Sequence, residues 1–165
     1  MAHFEHSSVI SAARNQVFDY VSNINSLPEI MSVDYKIEST APVGKLKVGS
    51  EYEIKITRMG ISVAWSIVIE DVVPNVFVRD RQSRGPFALW IHTQKFEDHG
   101  ESTLLTDLIE YDVPFGLLGK LADDIFIRRD LENIFRHRHQ KILEHFEKLA
   151  RPSSFGQDHQ AGGHS

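Results

Sequence analysis

Within the segment FALWIHTQKFEDHGESTLLTDLIEYDV, His92 and Asp107 have the chemistry of a general base and of the carboxylate that orients one. If His99-Gly100 forms a two-residue hairpin loop, Asp98 faces Glu101. Counting back then sets Phe96 opposite Thr103, Gln94 opposite Leu105, His92 opposite Asp107 and Trp90 opposite Ile109. Trp90, His92, Gln94 and Phe96 share one face with Leu105, Asp107, Ile109 and Tyr111. This set is larger and more apolar than Ile91, Leu104 and Leu108 on the other side, so it is assigned to the interior. A one-residue slip would reverse the assignment.

A third charge stands in IFRHRHQKI, residues 134–142, where Arg138 completes the helical row of Leu131, Ile134, Phe135, Ile142, Phe146 and Leu149. A guanidinium keeps its proton inside a protein, so on a buried face it needs a carboxylate, a ring of acceptors or water. Its stem either snorkels along the apolar face with the head in water, or its head reaches Asp107. Asp80 and Gln82 join the same cluster if the preceding hairpin turns at Arg84-Gly85. Such a cluster is either a buried ion pair fixing helix against sheet or an anchor for the polar end of an apolar ligand.

Other chemistries find less support. No serine is identifiably poised beside His92, which removes a nucleophilic triad. His137 and His139 point to different helix faces and His3 and His6 to opposite strand faces, so neither a metal site nor a cofactor is expected.

The elements that must position these residues follow from periodicity and turn chemistry. A first strand spans residues 4–10. Ser11 offers an N-cap for a helix over 12–24, striped by Val17, Phe18, Tyr20, Val21 and Ile24, and a helical turn follows at 27–31. Period-two segments at 33–40, 49–58, 61–72, 75–83, 86–97 and 102–113 read as antiparallel strands joined by hairpins. A helix then runs from beyond Gly119 to about residue 150, and the polar, Gly-rich 151–165 reads as a disordered tail to a single domain over 1–150. A long amphipathic helix has one place for its apolar stripe, across the inner face of the sheet. One helix cannot fill a strongly curved sheet everywhere, which leaves a cavity.

Composition bounds the function. The chain has 165 residues, 41% hydrophobic and 25% charged, enough for one core. It contains no cysteine, which excludes disulfides and thiolate chemistry. A formal charge of -5 speaks against nucleic acid, and the basic group Arg136, His137, Arg138, His139 and Lys141 is balanced by Asp130, Glu132, Glu144 and Glu147. No signal-like start and no apolar run of membrane-spanning length is evident, so a cytoplasmic protein without stable membrane insertion is expected. An edge strand leaves homodimer formation open.

Three segments carry a family resemblance. SVISAARNQVFDYVSNINSLPEIM, with Val17, Phe18, Leu27 and Pro28, is similar to the opening of START-like, helix-grip proteins, also called SRPBCC or polyketide cyclase/dehydratase-like proteins. RQSRGPFALWIHTQKF resembles their segment of Gly-Pro followed by alternating Trp, His and Phe, here Gly85, Pro86, Trp90, His92 and Phe96. DLIEYDVPFGLLGKL and LENIFRHRHQKIL resemble the closing strand, lid turn and C-terminal helix, with Ile134, Phe135 and Arg138. The resemblance implies an α+β helix-grip fold: a curved antiparallel sheet of about seven strands around a long C-terminal helix, with two short helices after the first strand. It also implies an apolar cavity of the kind used for lipids, quinones, polyketides and plant hormones. Where relatives often carry a second His, this chain has Gln94, which can anchor a ligand but moves no proton at neutral pH.

Three functions follow as expectations. In the first, a carrier or sensor, Trp65, Trp90, Phe96, Tyr111, Phe115 and Phe126 supply walls and lid, Tyr52, Ile54 and Ile56 the floor, and Ile134 and Phe135 the helix side. Arg138, Asp107, His92, Asp80, Gln82 and Gln94 then hold the polar end. The second is a metal-free cyclase or dehydratase using His92 with Asp107. The third is a protein-interaction or cochaperone-like module receiving an apolar segment near residues 114–119.

Overall fold

The structure, a computed structural model, describes residues 1–30, 36–39, 46–58, 60–114 and 120–150. Strand β1 (Ala2–Ile10) leads into helix α1 (Arg14–Val21), a 3-10 turn (Ile24–Ser26) and the single turn α2 (Leu27–Ile30). Six strands follow: β2 (Lys36–Ser39), β3 (Glu51–Arg58), β4 (Ile61–Val73), β5 (Phe77–Arg84), β6 (Leu89–His99) and β7 (Ser102–Asp112). Helix α3 (Lys120–Ala150) comes after them. The strands form one antiparallel sheet in the order β1-β7-β6-β5-β4-β3-β2, so the seven-stranded expectation holds. Two register shifts along β4 are the kind of irregularity that bends a sheet.

The entry to α1 differs from expectation. Ser11 does not cap it: the chain bends after β1, and Ala13 stands at the cap position with the Gln16 side chain accepting its N–H at 3.3 Å. The Thr103 hydroxyl donates to the Ala12 carbonyl at 2.8 Å, pinning the bend to β7. Tertiary contact thus overrides the local capping signal.

The β6–β7 register is also corrected. His99 pairs with Ser102, so the loop is Gly100-Glu101, with Gly100 at φ 67° supplying the left-handed conformation that such turns demand. Gln94 therefore faces Asp107 and His92 faces Ile109. The shift is two residues, the repeat of side-chain alternation, so the inward face survives. Trp90, His92, Gln94 and Phe96 are buried, as are Leu105, Asp107, Ile109 and Tyr111.

Two apolar clusters lie between sheet and helix. One joins Ile10, Phe96 and Leu105 to Ile142 and Phe146 of α3 and to the buried side of α1. The other joins Phe4, Trp90, Ile109 and Tyr111 to Leu131 and Phe135. The inward positions between them on β6, β7 and α3 hold His92, Gln94, Asp107, Arg138 and His139, so a layer of polar groups divides the core. Burying one aliphatic side chain such as Ile142 stabilises the fold by about 1.5–3 kcal/mol, which is how flanking clusters can carry polar groups between them.

Candidate functional site

Asp107 is the hub of the polar layer and is completely buried. Its Oδ1 accepts from His92 Nε2 at 2.7 Å, and its Oδ2 accepts from His139 Nε2 at 2.6 Å. Arg138 approaches the same Oδ2 with Nε at 3.9 Å, a charge contact without a hydrogen bond. His92 is also bound on its other side, where Nδ1 lies 3.4 Å from Asp80 Oδ2 across the β5–β6 pairing. A ring with both nitrogens turned to carboxylate oxygens must carry hydrogen on both, and is therefore an imidazolium.

The electrostatics agree with that geometry. Burial by itself would depress the basicity of His92, but the Asp80 charge and the bond to Asp107 outweigh it and push the pKa up to about 9. Burial would raise Asp107. The hydrogen bonds from His139 and His92, with the charge of Arg138, instead hold its carboxyl well below the usual carboxylate range. Burial, with Asp80 nearby, pushes the Tyr52 phenol upward, so it is a neutral O–H at any ordinary pH. His6 of β1 packs edge-on against His139 at 4.5 Å between ring centres, and burial first, then the neighbouring His139 ring, lowers its pKa.

Beside this layer a cavity of about 330 Å³ lies between the sheet and α3. Of the residues expected there, Tyr52, Ile54, Ile56, Trp65, Asp80, Trp90, His92, Gln94, Ile134, Phe135 and Arg138 all line it. Trp65, Phe87 and Trp90 form its aromatic wall, with ring centres 4.8–5.6 Å apart. Asp107 sits behind His92, outside the lining. A second hollow of about 520 Å³, near α1 and the β4–β5 turn, is bounded by Asn15, Asp19, Asn23 and Asn75 and takes in none of the expected site residues.

Other expected residues are placed differently. Phe96 lies in the cluster under α1, with its ring 5.2 Å from that of Phe18, and Tyr111 packs with Phe87 in the other cluster. Gln82 is engaged by the loop: its Nε2 donates to the Phe87 carbonyl at 2.7 Å, and its Oε1 accepts the Phe87 N–H at 3.3 Å. Phe115 falls outside the described residues, as does the Phe126 side chain. Among the described residues no group of three or more His, Asp or Glu side chains is arranged to hold a metal ion, and no helix is long and apolar enough to cross a membrane.

His139 is the site residue that the sequence reading passed over. Its spacing from His137 speaks against a metal ligand, and within the basic group 136–141 it reads as part of a solvated helix face. Yet it lies four residues after Phe135 and three before Ile142, on the same buried face as Arg138. The lining residues Leu27, Phe87, Ile127 and Leu131 were also missed, because cavity walls depend on sheet curvature that spacing does not encode.

No family model matches the sequence, and no curated protein matches it. Solved structures do resemble it. A protein from Thermus thermophilus superposes with TM-score 0.74 at 16% identity, covering 91% of this chain and 100% of its own. A START superfamily protein from Mycobacterium smegmatis superposes with TM-score 0.70 at 14% identity, over 90% of this chain and 99% of its own. The Zhui aromatase/cyclase from Streptomyces does so with TM-score 0.68 at 15% identity, over 93% and 98%. The strand order, the α3 crossing and these superpositions establish the fold of this chain as the START-like helix grip.

Proposed function

We propose that the protein binds a small, mostly apolar molecule between its sheet and α3, as a carrier or sensor. The observation that carries this reading is the cavity of about 330 Å³, walled by aromatic and aliphatic side chains with a few polar groups gathered around Arg138. Pockets that hold small molecules have this composition: apolar surface supplies affinity and sparse polar groups fix orientation. Two solved structures of the same fold are a START superfamily protein and an aromatase/cyclase, which is in keeping with a hollow fold that accepts apolar molecules. Native mass spectrometry of gently purified protein tests the proposal. A co-purified or exchangeable apolar molecule is expected, and protein that neither carries one nor binds any from an apolar panel refutes it.

A cyclase or dehydratase is the second reading, favoured by the short His92–Asp107 hydrogen bond beside the cavity. Against it, His92 has no lone pair to receive a substrate proton while Asp80 and Asp107 hold both nitrogens. A base role would require the ring to leave one carboxylate. If His92→Ala abolished turnover of a bound polyketide-like substrate while leaving its binding nearly intact, this reading would replace the first.

A further inference from the structure

We infer that the ligand's polar end is an uncharged oxygen acceptor, of the ketone or ester kind, and that the cavity discriminates against the matching carboxylate. The inference rests on the binding function proposed above and specifies its ligand.

Charge balance is the first observation. Around the polar end, the carboxylates of Asp80 and Asp107 face two cations. One is Arg138, which is always charged. The other is His92, whose two nitrogens both point at carboxylate oxygens, 2.7 and 3.4 Å away. His139 has a partner only at Nε2, the Asp107 carboxylate, and its buried Nδ1 meets no acceptor among the described residues that would call for a second proton. Two negative charges thus meet two positive ones among the described residues. Asp130, also in the lining, is on the exposed side of α3, where water screens it. A ligand carboxylate would add a third buried anion with no cation left to answer it, and an unpaired ion withdrawn from water is strongly disfavoured. An ammonium would unbalance the site in the other direction.

The second observation is unmet hydrogen bonding. Gln94 is only 7% exposed and lines the cavity, and its amide makes no hydrogen bond among the described residues. Arg138 is 5% exposed, and its Nε has no hydrogen-bond partner among them either. Buried polar groups are nearly always paired. Both side chains carry N–H donors, while the nearby carboxylate oxygens are engaged by histidines. The complement is an oxygen with lone pairs and no charge.

Calorimetric titration of the whole protein at neutral pH with three bicyclic probes tests this: 2-acetylnaphthalene, 2-naphthoate and 2-ethylnaphthalene. Their flat rings suit the wall of Trp65, Phe87 and Trp90. The ketone is expected to bind at least about tenfold more tightly than either of the others. Gln94→Leu should bring the ketone down toward the hydrocarbon and leave the hydrocarbon's affinity in place. Naphthoate binding as tightly as the ketone, or the ketone binding no better than ethylnaphthalene, overturns the inference and leaves the binding function standing. Binding of none of the three overturns the inference, and native mass spectrometry then decides the binding function separately.

Discussion

Asp107 is a carboxylate with no contact to water that satisfies two histidines and faces an arginine. Removing it leaves those partners buried without their counter-charge, which is far costlier than losing a surface pair. Asp107→Ala is therefore expected to destabilise the fold by about 3–5 kcal/mol, read as a drop in the urea midpoint. A loss under about 1 kcal/mol would mean that water or another group fills the gap. The pH dependence follows from the same atoms. His92 has a folded pKa of about 9 against an ordinary 6.5, so its contribution is complete below 6.5 and is lost as pH rises through 9. Asp107 is shifted the opposite way, so its contribution is present above the ordinary carboxylate value of 3.8 and fades as pH falls below it. The cluster should stabilise most between those two ordinary values. Urea melts at rising alkaline pH should lose stability, and His92→Gln should flatten that limb.

Segments, rather than single side chains, set the cavity's rim. The loop between β5 and β6 brings Pro86 and Phe87 into the lining, and Gln82 staples it through two hydrogen bonds to Phe87. Gly85 fits beneath because it has no side chain: a Cβ there would stand 2.3 Å from Gln82 Oε1 and 2.8 Å from Trp65 Cδ1. Gly85→Ala should break the staple and displace Phe87, costing about 1–3 kcal/mol and weakening ligand affinity. Comparing melts and titrations of the variant with the wild type measures both. Helix α3 is held by its buried stripe, and Ile142→Ala should cost about 2–5 kcal/mol in chemical denaturation, since the residue is fully enclosed. These elements were largely readable beforehand, because period-two runs, turn residues and the Leu131-to-Phe146 row reflect burial directly. The hairpin register differs by two residues from the sequence expectation because His99-Gly100 and Gly100-Glu101 are both acceptable loop pairs, and a left-handed Gly100 fits either of them. Asp107 could be assigned to the interior for the same reason, since alternation tolerates a slip of two. The second contact of His92, with Asp80, depended on pairing across another hairpin whose loop was longer than expected.

For the molecule as a unit, the hollow is a place where stability was left unused. A larger apolar side chain on its floor should compete directly with ligand: Ile54→Trp is expected to leave the ligand-free protein at least as stable while lowering affinity for an apolar probe more than about tenfold. Thermal melts with and without probe would show this as a vanished ligand-induced shift. Undiminished affinity in a folded variant would place the ligand elsewhere. The strand order carries a different consequence. Because β1 lies beside β7, the N-terminal strand must wait for a partner made about a hundred residues later, and the inner face stays uncovered until α3 has been synthesised. On the ribosome the greasy concave surface is therefore naked for most of translation, and chains stalled before α3 emerges should be clients of chaperones and proteases.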